Sequence, residues 1–417
     1  MALLLGVALG LAVSACTDPT HPRVYVDEPS TLFDGPLHIH VAGVGSGQRV
    51  TIEASTTDVD GARWTSSATF VAGKDGSVDV TSAKPVGGSY KAASATGLLW
   101  SMTPGSVSEF FFVPAGDSYT VSLSLIVKGR TAAQTRFERV TAAAGVKQRT
   151  VGLTADHIYG VMYEPSDSTA RRPAVLVFGG SGGGLQVTGE AAALASHGYP
   201  ALALAYFGAP GLPDTLANVP LEYFETALRW LAQQPSVNPD RMVVAGISRG
   251  SEPALLLGVH YPELVHGVIA LVPSSTVFSG LPDTSKPAWT WHGQPLPSAT
   301  ARPGYRVDNE AAVIPVERIR GPVFLLCGRL DALWPSCSFA DAITERLAAN
   351  GFGYPVVSLA EPDSGHFVGA TLPNLATSSG FVTSPRYGRL NVGGNQEGDA
   401  LARLDAWPRL LAFLAAL

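Results

Sequence analysis

Residues 241–260 read RMVVAGISRGSEPALLLGVH, and the turn within them decides the fold. Met242-Val243-Val244-Ala245 is a short apolar run, followed by Gly246-Ile247-Ser248-Arg249-Gly250 and then by an Ala/Leu-rich helical pattern. A continuous apolar run of this kind suits a strand buried on both faces of a parallel sheet. A strand that enters a helix through Gly-x-Ser-x-Gly makes a tight elbow. Glycine flanks the serine because the backbone is strained and crowded there. The elbow lifts the hydroxyl above the sheet and sets a helix N-terminus behind it. Ser248 is therefore the candidate nucleophile. A second match, Gly179-Gly180-Ser181-Gly182-Gly183, also follows an apolar strand, but a run of glycines comes after it. That loop suits backbone N–H donors better than a nucleophile. Gly180 and Ser181, with the amide of Arg249, are the candidate oxyanion hole.

Working outward from the elbow, residues 146–417 alternate strand and helix patterns. AVLVF, ALALAYF, RMVVAG, GVIALVP, PVFLLCG and YPVVSLA read as strands. EAAALASHG, LEYFETALRWLAQQ, EPALLLGVHY, FADAITERLAANG and the final ALARLDAWPRLLAFLAAL read as helices. Such alternation predicts a mainly parallel, doubly wound α/β sheet. Residues 16–145 have another texture. Leu37-His38-Ile39-His40-Val41 and Val50-Thr51-Ile52-Glu53-Ala54 alternate apolar and polar residues, and Asp60-Gly61, Asp75-Gly76 and Gly87-Gly88 punctuate them. Short strands with regular turns predict an antiparallel, Ig-like β-sandwich.

A nucleophilic serine needs a base, and the base needs an orienting acid. On α/β sheets with this elbow the chain order is Ser, acid, His. Asp331 follows the strand Val323 to Cys327 within GRLDALWPS, where an acid should project. His366 follows the strand Val356 to Leu359. Asp341 sits in a helical pattern, Asp363 is too near the histidine, His260 precedes the acid, and His292 lies in a long loop. That loop, Thr276 to Glu310, carries Phe278, Trp289, Trp291 and Tyr305. Long loops in compact domains are commonly lids or binding loops. Trp289 and Trp291 either wall an apolar substrate site or pack the loop down, and the sequence leaves both open. Cys327 and Cys337 flank the Asp331 loop, and a disulfide between them also stays open.

The 417 residues include 45 Gly and 31 Pro, too few for a low-complexity chain. Charged residues make up 15%, below the roughly 25% of typical domains. The net charge of −6 with few scattered lysines argues against a nucleic-acid face. No ligand-spaced His/Cys cluster for zinc stands out, and no cofactor is implied. Residues 1–15, MALLLGVALGLAVSA, carry no charge and are too short to span a bilayer. With Val13-Ser14-Ala15-Cys16 they resemble a bacterial lipoprotein signal lipidated at Cys16. The expectation is an extracytoplasmic protein anchored to the membrane by lipid, or failing that a secreted one, with residues 1–15 removed.

Together these residues resemble the acyl-CoA thioesterases and bile acid-CoA:amino acid N-acyltransferases. Gly87-Gly88-Ser89-Tyr90 and Gly97-Leu98-Leu99-Trp100-Ser101-Met102 carry the likeness in the first domain. LVFGGSGGG, HGYPALALAYFG, LEYFETALRWL, GISRGSE, Pro315-Val316-Glu317-Arg318, Trp334-Pro335-Ser336 and Asp405-Ala406-Trp407 carry it in the second. The resemblance implies an α/β-hydrolase with the triad Ser248, Asp331 and His366. Family transferases typically use cysteine at the nucleophile position, so serine points to hydrolysis of acyl thioesters or related esters. The alternatives are acyl transfer to an amine or alcohol, and a binding protein on an inactive hydrolase fold. The oligomeric state is not legible.

Overall fold

The computed structural model describes residues 21–105, 110–167, 170–301, 305, 307–384 and 386–417. The expected leader and Cys16 lie outside the described residues. Two sheets occupy the first part of the chain. One has three strands, Arg23–Val26, Ile39–Ala42 and Val78–Asp79. The other runs in the order Ser30–Leu32, Arg130–Val140, Ser118–Val127, Arg49–Thr57, Arg63–Val71 and Gly87–Gly88, with Thr103–Pro104 pairing on Arg63–Val71. Strand alternation puts Ile39, Val41, Ile52, Trp64, Phe70 and Leu123 into one shared core, while His38, His40 and Glu53 face outward. The Trp64 indole, fully buried, donates to Asp58 Oδ2 at 2.9 Å. Antiparallel pairing was expected throughout, and one edge departs from it: Ser30–Leu32 runs parallel to Arg130–Val140. The buried Arg139 accounts for this by donating to Thr31 Oγ1 and to the carbonyls of Phe33 and Gly35, which pins the edge segment.

The rest of the chain builds an eight-stranded sheet, with a small three-stranded sheet and a two-stranded hairpin beside it. The strands of the large sheet are β1 (Lys147–Val151), β2 (Tyr159–Glu164), β3 (Arg172–Phe178), β4 (Ala201–Ala205), β5 (Val237–Ile247), β6 (Gly267–Leu271), β7 (Val323–Gly328) and β8 (Val356–Glu361). The order is β1-β2-β4-β3-β5-β6-β7-β8. β1 and β2 pair antiparallel, β2 pairs antiparallel with β4, and every later pairing is parallel. The sheet is therefore mixed, with a parallel majority.

Helices cover both faces, and side-chain alternation along the strands decides which residue meets which layer. Ala174, Leu176 and Phe178 of β3 face α2 (Leu221–Ala232), α3 (Ser251–His260) and α4 (Ser336–Ala349). Val175 and Val177 face α1 (Thr188–Ser196) and α5 (Gln396–Ala415). Strands that are apolar at every position are what this two-sided burial demands.

One acidic side chain lies inside the second layer. Glu190 of α1 is buried, and burial pushes its carboxyl up to about 7, with Arg403 opposing. The folded chain then holds this proton more tightly than the unfolded one, whose ordinary value is 4.5. Its contribution to stability is greatest below that value, falls as pH rises to about 7, and is level above. Glu190→Gln should flatten that part of the profile. Thermal midpoints of both proteins across this pH window test it, and identical slopes would mean that Glu190 stays ionised throughout.

Candidate active site

β5 ends at Ile247, and Ser248 has a φ of 56°, in the left-handed region that a non-glycine residue seldom occupies. Strain of this kind persists where the surrounding structure enforces it. A single 3-10 turn, Ser248–Gly250, leads into α3. A Cβ on Gly250 would lie 2.4 Å from the Gly179 carbonyl oxygen, so only glycine lets β5 turn this close to the end of β3. The loop after β3 approaches as tightly. A Cβ on Gly180 would stand 2.9 Å from Ser248 Cβ and 3.4 Å from the Arg249 nitrogen. Gly180 and the Arg249 amide thus lie beside Ser248.

Two tyrosines set this loop's orientation. Tyr206 Oη donates to the carbonyls of Gly179 at 2.8 Å and Gly180 at 3.2 Å, and Tyr387 Oη donates to Ser181 O at 2.8 Å. In a trans peptide the N–H points opposite to the carbonyl. The N–H groups of Gly180 and Ser181 therefore point away from Tyr206. Burial raises the Tyr206 phenol far above its ordinary value, which keeps it protonated as a donor.

His366 and Asp331 meet the serine in line. His366 Nε2 lies 2.9 Å from Ser248 Oγ, and its Nδ1 lies 2.9 Å from Asp331 Oδ2. Asp331 follows β7, and its carboxylate is buried and fully engaged. Oδ1 accepts from the Leu333 and Trp334 amides at 3.0 and 3.3 Å, and Oδ2 accepts from Ser336 Oγ at 2.7 Å. Cys327 of β7 and Cys337 of α4 are bridged with Cα atoms 5.1 Å apart, so a covalent tie closes the loop that carries the acid.

α5 braces the histidine from below. Asp399 Oδ1 accepts from the Gly365 amide at 2.8 Å, and Arg403 Nη1 donates to the Phe367 carbonyl at 3.2 Å. The backbone is thus held on both sides of His366. Burial pushes Asp399 up to about 6 and Arg403 down to about 10. From the first part of the chain, Phe111 packs on Phe367 with ring centroids 4.5 Å apart. The Phe112 amide donates to Ala376 O at 3.0 Å, and the Ser378 amide to Phe110 O at 2.9 Å.

The Arg249 side chain turns away from the substrate side. Its Nε lies 2.7 Å from Glu252 Oε1 in a buried ion pair, and Nη2 donates to the carbonyls of Phe278 and Ser279 at 2.9 and 3.0 Å. Glu252 Oε2 accepts from the Phe278 amide at 3.2 Å and from the Trp289 indole at 2.7 Å. Trp289 is fully buried among Tyr206 and Phe224, and Trp291 packs on His260 at the end of α3 away from Ser248. These two rings pack against α2 and α3 and do not reach Ser248. The aromatic group nearest His366 is Phe278, Tyr305, Trp334 and Phe339, with Trp334 6.0 Å from His366. Sequence reading missed Glu252, Tyr206, Tyr387, Asp399 and Phe111. For Glu252 a signal existed: it is a lone acid at the start of an apolar helix.

A serine elbow after β5, a mixed eight-stranded sheet and a histidine beyond β8 define an α/β-hydrolase. Residues 34–152 match the acyl-CoA thioester hydrolase/BAAT N-terminal region, and residues 219–416 match the BAAT/acyl-CoA thioester hydrolase C-terminal region. The chain belongs to this family. Human acyl-coenzyme A thioesterase 2, mitochondrial, is 29% identical over 405 residues, covering 91% of this chain and 81% of its own. Human acyl-coenzyme A thioesterase 1 is also 29% identical over 405 residues, covering 91% and 93%. Among solved structures, a dienelactone hydrolase-like promiscuous phosphotriesterase from metagenomic libraries overlaps 66% of this chain and 99% of its own, at a TM-score of 0.42 and 17% identity.

These relatives correct the expected envelope location. Proteins matching about nine-tenths of the chain are mammalian acyl-coenzyme A thioesterases, mitochondrial forms among them, and not bacterial envelope lipoproteins. The expectation rested on 15 uncharged, mostly apolar residues before a cysteine, a pattern that an Ala/Leu-rich chain readily produces. Among the described residues no helix is long and apolar enough to cross a membrane.

Gly180→Ala tests the loop geometry. A methyl group there would crowd Ser248 Cβ and displace the neighbouring amides. Loss of one oxyanion donor costs about 100-fold or more in kcat. That loss, with an unchanged circular dichroism spectrum, is the expected result.

Proposed function

We propose that this chain is a serine-dependent hydrolase of acyl-coenzyme A thioesters. The observation that carries the reading is the line of contacts from Ser248 Oγ through His366 to Asp331, at 2.9 Å each. The acyl-coenzyme A substrate is what the relatives are named for, and it fits a site with one nucleophile and a nearby apolar wall.

In the proposed reaction His366 Nε2 takes the Ser248 proton as Oγ attacks the thioester carbonyl. Asp331 holds the Nδ1–H tautomer and stabilises the imidazolium, while remaining ionised itself. The amides of Gly180, Ser181 and Arg249 receive the oxyanion. Collapse of the tetrahedral intermediate breaks the C–S bond, and the imidazolium protonates the departing thiolate. Water, deprotonated by His366, then cleaves the acyl-enzyme and returns Ser248. Phe278, Tyr305, Trp334 and Phe339 are placed to wall the acyl chain. Arg386 supplies positive charge for the coenzyme's phosphates. It is exposed over the Phe207 ring at 5.6 Å, beside the tyrosine that holds Ser181. The first domain, divided from the hydrolase near residue 145, covers the histidine side of the site through Phe110 and Phe111.

Ser248→Ala should lower thiol release from acyl-CoA by about six orders of magnitude, the range seen when a serine triad loses its nucleophile. Free thiol is followed with a chromogenic disulfide reagent, and p-nitrophenyl esters run in parallel. Unchanged turnover would overturn the serine mechanism. Product analysis with glycine or an alcohol present separates hydrolysis from transfer, because conjugates form only in the second case.

A further inference from the structure

The outer face of the three-stranded sheet brings together three metal-ligating side chains that the hydrolase chemistry does not use. His38 and His40 are two residues apart at the start of the strand Ile39–Ala42, so they share a face, and it is the face opposite Leu37, Ile39 and Val41 in the core. Asp27 comes from the neighbouring strand. Its amide donates to the His38 carbonyl at 3.2 Å, extending the ladder in which Tyr25 pairs with His40. Asp27 therefore lies across from His38 on that same outer face.

The carboxylate sits between the imidazoles. His40 Nε2 is 3.2 Å from Asp27 Oδ1 and 3.3 Å from Oδ2, and His38 Nδ1 is 3.9 Å from Oδ2. One ligand atom from each residue lies within 4.8 Å of the other two. The Tyr25 ring stacks on His40 at 5.2 Å and 24°, which fixes the imidazole plane. Across the sheet Asp79 is the register partner of His40, but its carboxylate is taken up by the Thr81 amide and Ser82 Oγ, both at 2.9 Å.

We propose that Asp27, His38 and His40 form a binding site for a zinc-type divalent transition metal. A tetrahedral ion bonded at about 2.0–2.1 Å needs ligand atoms about 3.4 Å apart. The three atoms reach that spacing by small rotations of side chains that are exposed or half-buried. Two neutral imidazoles and one carboxylate suit zinc, nickel or copper, and they discriminate against calcium and magnesium, which take oxygen ligands. Three protein ligands leave a fourth position for water. Because Asp27 arrives on the neighbouring strand, the bound ion ties the edge strand Arg23–Val26 to the strand Ile39–Ala42.

The test uses the full chain stripped with a chelator and titrated with zinc chloride against a chromophoric competitor. The expected result is one ion per chain, with binding weakened about 100-fold or more in His38→Ala and in His38→Ala/His40→Ala. His38 is exposed, so its removal leaves no cavity, and the single variant separates loss of a ligand from loss of fold. A second readout is the wild-type thermal midpoint, which should rise with zinc and not with calcium. Zinc binding of equal strength in wild type and His38→Ala would overturn the proposal. So would a stripped wild type that takes up no zinc and shows no rise in midpoint.

Discussion

A buried ion pair between Arg249 and Glu252 organises the catalytic end of the sheet. Two opposite charges on consecutive turns of one helix start are removed from water together, and each is then surrounded by backbone and indole partners. A lone charge in this position would be very costly, so the pair holds only if its partners stay in place. Those partners are Phe278, Ser279 and Trp289, all in the long loop after β6. The residue bonded to this loop is also the neighbour of the serine. The elbow and the loop therefore cannot move independently, and the left-handed Ser248 backbone is held by contacts on every side.

The parts that were legible in the sequence are those carried by short, local patterns. Uninterrupted apolar runs named the strands of the large sheet, and Gly-x-Ser-x-Gly with chain order pointed to Ser248, Asp331 and His366, which the fold brings into line. Residues whose role depends on distant neighbours were not legible. Trp289 and Trp291 read as equally fit to line a pocket or to pack, because only the fold reveals that Glu252 waits for one indole and His260 for the other ring. Asp27 is eleven positions from His38, and no spacing rule links them; antiparallel pairing does. The parallel edge at Ser30–Leu32 was hidden for a similar reason, since its cause is one buried arginine more than a hundred residues later. The leader misled because a cysteine after a short uncharged apolar run is a weak pattern, and no Lys or Arg near Met1 supports it.

The two sheets of the first part of the chain are more than an appendage to the hydrolase. Phe111 touches the residue next to His366, the Phe112 amide donates to Ala376 O, and the Ser378 amide donates to Phe110 O, which zips the same segment in place. Asp399 and Arg403 hold the turn from the opposite side. The histidine therefore sits between two supports, one from each part of the chain. The placing of His366 therefore depends on contacts from the first part of the chain as well as on the sheet beneath it.

The bridge between Cys327 and Cys337 turns the acid's loop into a closed ring of fixed circumference. Elsewhere on such a sheet, loops beyond the strands can lengthen or shorten as substrates change. Here an inserted residue would have to bulge outward, because both ends are fastened to buried elements.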